Sequence, residues 1–429
     1  MNPGFDRRAF LGLSGAAAAL LAGGCTGSVG GGAGQPAPTS NELRLFTYEA
    51  DTTIDSFKEQ VAAFDAEAKL TTTVDSLPGS GAALYPDKLR TELLGGKGPD
   101  VWRIWGGQIG SPFATAKQAA DLSPYYDQYG WADRIDPNAI NGMTFDGLKA
   151  GVPFNAAAVG LWYNKEIFAK AKIDADPQSY AELEELNEKL VAAGVTPAGL
   201  GGKYGWHIMR LFEYLLEHTA GPELHDQLLT GDASWDTPEV VQAFTLFKKW
   251  QDSGWVPEGA LGLDPADIEP TFIQGKTAYT ITGIWMEAGN IAASGKKSSE
   301  FGTFLLPTDH DVLRFSGFVE GYMINARSGN AANAAKLLDF IVRPETQQAL
   351  KIGSSTVKGA EPDPADAPLA SQWAEIRRTH PFYTIQDQAF PKKQADQYFA
   401  VQSDILQGAI TPAAAAKRMQ EIVSAWAKE

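Results

Sequence analysis

Hydrophobic and polar positions recur along this chain with two different periods, and each period predicts a different element. Residues 43–48, Leu-Arg-Leu-Phe-Thr-Tyr, alternate as a β-strand does. Ile54, Phe57, Val61 and Phe64 follow at the spacing of one helix face. A strand followed directly by a helix is how a βαβ unit begins.

Three later helices carry a start signal, in which a capping residue precedes a proline. The signals are Asp176-Pro177, ahead of an apolar face from Tyr180 to Leu190, then Thr237-Pro238 and Thr411-Pro412. Short β-rich runs at 278–282 and 322–325 lie between the helices. This order predicts an α/β fold with mostly parallel sheets and with ligands at the carboxyl ends of the strands.

The first 24 residues have the pattern of an export signal. A charged start containing Arg7 and Arg8 precedes an uncharged run from Gly12 to Gly24. That run is shorter than the roughly 20 apolar residues that a transmembrane helix needs, so we interpret residues 1–24 as a signal peptide. The arginine pair resembles the twin-arginine export motif, and the general secretory route is the alternative.

Cys25 is the only cysteine, and it stands directly after this run. Residues 21–25, Leu-Ala-Gly-Gly-Cys, resemble a bacterial lipobox, in which the cysteine receives a diacylglycerol; a buried free thiol is the alternative. Residues 25–40 are mostly Gly, Ala, Ser, Thr and Pro and predict a flexible linker. The protein is therefore expected on the outer face of the cell membrane, held there only by the lipid on Cys25.

Composition narrows the possible functions. About 390 residues follow the linker, enough for two domains. A net charge of −16 argues against nucleic acid or an anionic membrane surface as partner. The chain lacks Walker A, HExxH, CxxC and GxSxG motifs, and its five histidines are scattered. We therefore expect no cofactor, no metal and no enzymatic activity.

Four stretches in order resemble the family 1 extracellular solute-binding proteins of carbohydrate ABC importers. They are residues 93–107, with Pro-Asp-Val and Trp-Gly-Gly; 151–165, with Tyr-Asn-Lys; 272–285, with Gly-Lys and Gly-Ile-Trp; and 317–324. The resemblance implies an α/β, two-lobed periplasmic-binding-protein-like fold of the class II type, with hinged, discontinuous lobes.

The same resemblance implies the domain limits. The N-terminal lobe is expected to comprise residues 41–154 and 322–375, and the C-terminal lobe residues 155–321 and 376–429. Hinges are expected near 154–155, near 320–322 and within 370–378.

The implied function is a monomeric, lipid-anchored receptor that binds a sugar, preferably an oligosaccharide, in the cleft between the lobes and passes it to ABC permease subunits. Two alternatives remain open. One is a receptor for a cationic solute such as a polyamine, because carboxylates and aromatic rings also form a cation cage. The other is a secreted carbohydrate-active hydrolase with an Asp/Glu pair.

A sugar site needs hydrogen-bonding groups for the hydroxyls and aromatic surfaces for the C–H faces of the rings. The family resemblance and these needs select ten residues, for which helix charge, packing or a hinge hydrogen bond are the alternative roles. Those ten residues are Glu49, Asp51, Arg103, Trp105, Asn155, Trp206, His207, Trp285, Glu320 and Tyr322. His207 is expected to be a neutral hydrogen-bonding group, and Trp285 to stack on a sugar ring.

Overall fold

The computed structural model describes residues 39–49, 52–78 and 84–426. Its strands are β1 Glu42–Glu49, β2 Thr71–Pro78, β3 Val101–Trp105, β4 Thr144–Phe145, β5 Leu148–Lys149, β6 Gly151–Asn164, β7 Thr196–Ala198, β8 Thr277–Gly283, β9 Phe301–Phe304, β10 Phe315–Ile324 and β11 Phe382–Thr384. The predicted signal peptide, Cys25 and most of the predicted linker lie outside the described residues, as does Asp51.

Helices flank these strands along the whole described chain. They are α1 Ile54–Ala68, α2 Tyr85–Leu94, α3 Gly107–Thr115, α4 Ser123–Tyr129, α5 Trp131–Arg134, α6 Pro137–Gly142, α7 Lys165–Lys170, α8 Tyr180–Ala192, α9 Trp206–Thr230, α10 Pro238–Asp252, α11 Pro265–Ile268, α12 Ala331–Ile341, α13 Pro344–Ala349, α14 Pro368–Thr379, α15 Gln386–Ala389, α16 Lys392–Leu406 and α17 Pro412–Trp426. The alternation confirms the predicted α/β class.

One large sheet runs through the described residues in the order β2-β1-β3-β10-β6-β8-β7, with β11 paired to β10 and β9 to β6. The outer pairs β1–β2, β1–β3 and β7–β8 are parallel. The pairs that β10 makes with β3 and β6 are antiparallel, as is the β6–β8 pair. The expectation of mostly parallel pairing is therefore wrong at the centre, because β6 and β10 carry the chain along the sheet in opposite directions.

Two of the three predicted helix starts are confirmed. The Thr237 hydroxyl accepts a hydrogen bond from the Val240 N–H at 3.4 Å, and α10 begins at Pro238. The Thr411 hydroxyl accepts from the Ala414 N–H at 3.2 Å, ahead of α17. In both, a side chain satisfies an N–H that has no partner within the helix.

The helix predicted to begin at Asp176-Pro177 instead begins at Tyr180. Ser179 is its capping residue, and its hydroxyl accepts from the Glu182 N–H at 3.2 Å. The Glu182 carboxylate reaches back and accepts from the Gln178 N–H at 2.7 Å. Ser179 and Glu182 thus pair with two N–H groups at the start of α8, and Asp176 lies too far ahead of Tyr180 to cap the helix.

Buried apolar side chains form four clusters in the described residues. Two draw on residues 43–154 and 322–360, and the other two draw on residues 158–315 and 369–423. The boundary between the two pairs of clusters falls within strands β6 and β10, near Asn155 and Glu320. Leu369 and Trp373 pack with the second pair of clusters, ahead of the predicted boundary at 375.

The segment 370–378, predicted to contain a hinge, lies within helix α14. The extended chain beside β6 is 354–356: Ala156 donates its N–H to the Ser354 carbonyl at 2.9 Å, and Thr356 donates to the Phe154 carbonyl at 3.2 Å. These bonds hold residues 354–356 beside β6. This segment is the third connection between the two parts of the chain, in addition to β6 and β10. The lobe limits themselves stay predictions.

Candidate ligand-binding site

Strand β10 carries the centre of the candidate site. Alternate residues of a strand share a face, so Phe318 and Glu320 point to the same side of the sheet. Glu320 lies opposite Trp105 of β3 and opposite Asn155 of β6. The register with β6 shifts directly after Glu320, where Phe154 is left unpaired with β10. Such bulges re-aim side chains, and they are common beside functional sites.

Glu320 and four residues around it form a group that we call the Arg103 cluster. Its members are Tyr48, Glu49, Arg103, Asn155 and Glu320. Arg103 donates to the Glu49 carboxylate at 2.5 Å, to the Tyr48 carbonyl at 3.1 Å and to the Glu320 carboxylate at 2.9 Å. Glu320 also accepts from the Tyr48 hydroxyl at 2.5 Å and from the Asn155 amide at 2.6 Å. Three donors therefore occupy the Glu320 carboxylate from within the protein.

Two carboxylates fix the charge of Arg103. Burial lowers its pKa, but the attraction of Glu320 and Glu49 outweighs burial and holds the pKa well above its ordinary value. Burial and the charge of Glu320 raise the pKa of the Tyr48 hydroxyl well above its ordinary value. The tyrosine thus remains a donor, whereas Arg103 Nε is buried without a hydrogen-bond partner among the described residues.

Trp105, at the carboxyl end of β3, extends this cluster with an aromatic surface. Its ring stacks on Tyr48 with centroids 4.0 Å apart and planes 17° apart. The Arg103 guanidinium lies 4.4 Å from the centroid of the same Tyr48 ring. Trp105 is half-buried, so part of its indole remains at the surface.

A second group, the Arg210 cluster, consists of Trp206, Arg210, Glu269, Thr282 and Trp285. The Arg210 guanidinium lies 4.4 Å from the Trp206 ring centroid and 4.9 Å from that of Trp285. Its Nη1 donates to the Thr282 hydroxyl at 3.0 Å and to the Glu269 carboxylate at 3.4 Å. Both tryptophans are half-buried, so a cation is held against two partly open rings.

Burial has more effect on this cluster than the surrounding charges have. It lowers the pKa of Arg210 despite the attraction of Glu269, Glu213 and Asp387. It also raises the pKa of Glu213 to about 8 and that of Asp387 to about 6. Among the described residues, Glu213 Oε1 and Asp387 Oδ1 are buried without a hydrogen-bond partner. This region therefore has carboxylate oxygens with unused hydrogen-bonding capacity, whereas the unpaired atom of the Arg103 cluster is a donor, Arg103 Nε.

The orientation of Trp285 depends on Gly283, the last residue of β8. A Cβ atom at position 283 would come within 1.8 Å of the indole ring, so only glycine lets the ring lie against the strand. The centroid of the Trp285 ring is 5.9 Å from that of Phe318. Phe318 precedes Glu320 by two residues, about 7 Å along the strand, so the two clusters are neighbours on one face of the sheet.

The structure brings seven of the ten predicted residues to this face, five in or beside the Arg103 cluster and two in the Arg210 cluster. His207 and Tyr322 are instead fully buried. His207 Nδ1 accepts from the Gly201 N–H at 3.2 Å, and burial lowers the pKa of His207 well below its ordinary value. The Tyr322 ring packs against Phe154, with centroids 5.0 Å apart. Both residues lie in the protein interior behind the candidate site. The tenth residue, Asp51, lies outside the described residues.

Sequence reasoning missed Arg210, Phe318 and Asp387. Arg210 follows Trp206 by four residues on α9, and this spacing places both side chains on one helix face. Phe318 precedes Glu320 by two residues, which is the spacing of one strand face. Asp387 had no comparable signal, because its approach to Arg210 is decided by tertiary packing.

Two contacts join elements from the two parts of the chain that the core clusters divide. A Cβ atom on Gly107, at the start of α3, would come within 2.5 Å of the Gln388 carbonyl of α15. Asp87 of α2 and Lys392 of α16 form an ion pair at 3.8 Å.

Two other kinds of feature are absent from the part of the chain that the structure describes. No group of three or more His, Cys, Asp or Glu side chains there could hold a metal ion. Among the same residues, no helix combines the length and the apolarity needed to cross a membrane.

The family model for the bacterial extracellular solute-binding proteins matches residues 50–348. The chain belongs to this family. Its members bind solutes, so the protein is a binding protein and not an enzyme. This assignment confirms the resemblance seen in the sequence, and it removes the hydrolase alternative.

Individual relatives agree with this assignment. An uncharacterised ABC transporter extracellular-binding protein of Pyrococcus horikoshii is 26% identical over 379 residues, which cover 84% of this chain and 79% of the relative. A probable sugar-binding periplasmic protein of Mesorhizobium japonicum is 25% identical over 295 residues, or 68% of each chain.

Solved structures show the fold. A chitin oligosaccharide binding protein matches with a TM-score of 0.80 at 24% identity, covering 90% of this chain and 99% of its own. A solute-binding protein in complex with raffinose matches with a TM-score of 0.73 at 21% identity, covering 89% of this chain and 98% of its own. The chain thus has the α/β periplasmic-binding-protein fold.

Proposed function

We propose that this solute-binding protein captures a sugar, preferably an oligosaccharide, on the face formed by the Arg103 and Arg210 clusters and delivers it to an ABC permease. The observation that carries the proposal is the row of half-buried aromatic rings on one face of the sheet, set among polar groups. The rings belong to Trp105, Phe318, Trp285 and Trp206. Such rings can cover the C–H faces of pyranoses, while neighbouring carboxylates and amides bind the hydroxyls.

One carboxylate on each side of the candidate site has capacity left for sugar hydroxyls. Asp387 is half-buried and its Oδ1 has no hydrogen-bond partner among the described residues. Glu49 lies at the carboxyl end of β1, where its Oε1 accepts from Arg103 and its Oε2 accepts from the Thr53 hydroxyl at 3.3 Å, which leaves Oε2 a lone pair for a further donor. We propose both as hydroxyl-binding residues, and His207 and Tyr322 as buried supports of the site.

The relatives support a sugar as the solute class. The chitin oligosaccharide binding protein and the raffinose complex are named for oligosaccharides, and the Mesorhizobium japonicum relative is named as a probable sugar-binding protein. The relative from Pyrococcus horikoshii is named as an ABC transporter component, which supports a permease as the partner.

A cationic solute fits the geometry less well. A cation cage needs aromatic faces that are free to receive the charge. Here the Arg210 guanidinium already lies over the rings of Trp206 and Trp285. A polyamine on those rings would meet a fixed positive charge, whereas a neutral sugar would not.

A thermal-shift screen of the purified protein tests this choice. The panel contains chitin oligosaccharides, xylo-oligosaccharides, raffinose, glucose and spermidine. A ligand that binds only the folded state raises the unfolding midpoint by mass action, so we expect at least one oligosaccharide to raise it and spermidine to leave it unchanged. A shift with spermidine alone would contradict the sugar assignment, and calorimetric titration confirms any hit.

We also propose that the two halves of the protein open and close around the sugar, on hinges near Asn155 and Glu320. Closure buries the sugar against both halves, so ligand should shift the population to the closed form. Small-angle scattering should show a smaller radius of gyration with saturating sugar. An unchanged scattering profile in the presence of a bound sugar would contradict the hinge.

We further propose that Cys25, which lies outside the described residues, carries the lipid that anchors the protein at the outer face of the membrane. Cys25→Ser should release the protein from the membrane fraction and leave its sugar affinity unchanged. Continued fractionation with membranes would contradict the anchor. Replacing Arg7 and Arg8 by lysines should block export if the twin-arginine route is used, and should leave export intact if the general secretory route is used.

A further inference from the structure

A small cavity lies behind the Arg210 cluster, between α9 and β10. Its volume is ≈ 20 Å³, and its lining includes Arg210, Glu213, Thr308, Arg314 and Ser316. A polar cavity of roughly 10–15 Å³ is large enough for one water molecule. The cavity therefore has room for a single small ligand.

Four polar atoms of the lining residues are buried without a hydrogen-bond partner among the described residues. They are Arg210 Nε, Glu213 Oε1, Thr308 Oγ1 and Ser316 Oγ. Arg210, Glu213 and Ser316 are each at least nine-tenths buried as whole residues. The Ser316 hydroxyl also lies close enough to Glu213 to oppose the rise that burial causes in the pKa of that carboxyl. Buried polar groups in folded proteins nearly always have partners, so the unpaired atoms of Arg210, Glu213 and Thr308 around a single cavity indicate a shared ligand.

The charges around the cavity define the chemistry of that ligand. Arg210 is already paired with Glu269 at 3.4 Å, and Arg314 with Glu217 at 2.7 Å and Asp226 at 2.8 Å, so the arginines of the lining carry no unpaired charge that calls for an ion. Arg210 Nε can only donate, whereas the two hydroxyls can donate or accept. A neutral molecule that both donates and accepts meets all of these conditions, and water is the one that fits the volume.

We propose that an ordered water molecule occupies this cavity, accepts a hydrogen bond from Arg210 Nε and bridges it to Glu213, Thr308 and Ser316. The water is a positioning element, because it holds the guanidinium that lies over Trp206 and Trp285. Typical buried waters make two to four hydrogen bonds, which matches the four available atoms. Burial raises the pKa of Glu213 to about 8, so its carboxyl is neutral near pH 6 and can exchange hydrogen bonds with water in either direction.

A crystal structure of the purified protein at pH 6, at a resolution that shows ordered water, tests the proposal directly. We expect one density peak within about 2.7–3.2 Å of at least three of the four atoms. Direct contact between Arg210 Nε and Glu213, with no density between them, would overturn the assignment. This outcome does not depend on which solute the protein binds, so it is independent of the proposed sugar function.

Two variants of Thr308 sharpen the test. Thr308→Val keeps the shape of the side chain but removes its hydroxyl, so the water should be lost or displaced. Thr308→Ser keeps the hydroxyl and should retain the water. A water at full occupancy with unchanged partners in Thr308→Val would contradict the role of this residue.

Nuclear magnetic resonance gives a second readout that needs no crystals. The Arg210 Nε–H resonance, assigned by its loss in Arg210→Lys, should show a cross-peak to water in the wild type and in Thr308→Ser. That cross-peak should weaken in Thr308→Val while the fold, seen in the backbone amide spectrum, is unchanged. Absence of the cross-peak in the wild type would overturn the proposal.

Discussion

The Arg103 and Arg210 clusters use the same kind of residue in opposite electrostatic settings. Each has a buried arginine near aromatic rings and carboxylates. Arg103 pairs with two carboxylates and has a pKa well above its ordinary value. Arg210 makes its hydrogen bonds through Nη1 alone and has a lowered pKa, because burial outweighs the nearby charges.

The difference shows which cluster is organised for stability and which for binding. Each carboxylate oxygen of the Arg103 cluster already accepts a hydrogen bond from the protein, so these carboxylates gain less from a ligand, although Arg103 Nε has no partner among the described residues. A network with unpaired atoms next to open aromatic rings can gain hydrogen bonds when a ligand arrives. We therefore expect substitutions in the Arg103 cluster to affect mainly folding, and those in the Arg210 cluster to affect mainly sugar binding.

The largest effect is expected from Arg103→Met. Removing the arginine leaves the buried Glu320 carboxylate without its cation, and breaking a buried ion pair costs about 3–5 kcal/mol. Urea denaturation should show a loss of this size in the free energy of unfolding. Arg44→Met is the control, since Arg44 also pairs with two carboxylates but is more exposed, and its loss should be at most about 1 kcal/mol. Equal losses of unfolding free energy in Arg103→Met and Arg44→Met would contradict the proposed difference between the buried and the more exposed arginine.

Stability against pH separates two glutamates that stand one helical turn apart on α9. The pKa of Glu213 is raised to about 8 and that of Glu217 is lowered to about 2, against an ordinary value of 4.5. Burial dominates at Glu213. At Glu217, burial is opposed by hydrogen bonds with His225 and Arg314, which together outweigh it.

The two shifts have opposite signs in their effect on stability. Folded Glu213 keeps its proton between pH 4.5 and 8, so the unfolding free energy falls as pH rises through this range, by at most about 1.4 kcal/mol per pH unit. Glu217 contributes stability that is complete above pH 4.5 and is lost as pH falls toward 2. Glu213→Gln should flatten the alkaline side of the curve, and Glu217→Gln the acid side. Denaturant melts from pH 3 to 8 measure the unfolding free energy of each variant. If both variants change the same side of the stability–pH curve, the opposite pKa shifts of Glu213 and Glu217 are refuted.

Trp285→Ala should weaken sugar binding at least tenfold. One buried aromatic anchor contributes ~2 kcal/mol or more to binding, and 1.4 kcal/mol is about one decade in Kd. Calorimetric titration measures the dissociation constant, and a denaturant melt corrects for any unfolded fraction. Trp131→Phe is the control, because Trp131 is buried in a different core cluster, so this variant should lose stability and keep its Kd. An unchanged Kd in Trp285→Ala would remove Trp285 from the site.

The smallest effect is expected from Lys392→Met, which breaks the ion pair between Asp87 of α2 and Lys392 of α16. Exposed ion pairs contribute at most about 1 kcal/mol, so Kd should rise no more than about fivefold, and less at high salt. Lys248→Met removes a similar exposed lysine, which pairs with Asp252 on α10, and it should leave Kd unchanged. An equal effect of both variants would show that the ion pair has no specific role in closure.

Local features of this protein were determined by the sequence itself. The Thr237-Pro238 and Thr411-Pro412 helix starts depend on hydrogen bonds between residues three apart, so the pattern was sufficient. The alternation of apolar and polar residues was likewise sufficient to predict the strand at 43–48. Ser179 and Glu182 carried the corresponding signal for α8, although the proline at 177 directed the prediction to an earlier start.

The four family motifs identified the fold, and with it the strand ends on which Glu49, Arg103 and Trp105 are placed. They did so because each motif is a turn or a strand end whose geometry restricts its residues. The exported, lipid-anchored state rests on residues outside the described structure, and it remains a prediction.

Tertiary structure alone decided the composition and the electrostatics of the site. Arg210 lies on α9 and Trp285 follows the end of β8, 75 positions later, and only the packing of the helix on the sheet brings them together. Glu213 and Glu217 are the same residue type on the same helix, yet burial raises one pKa and ion pairs lower the other. Desolvation and long-range pairing depend on what surrounds a side chain in space, and one sequence does not specify those surroundings position by position.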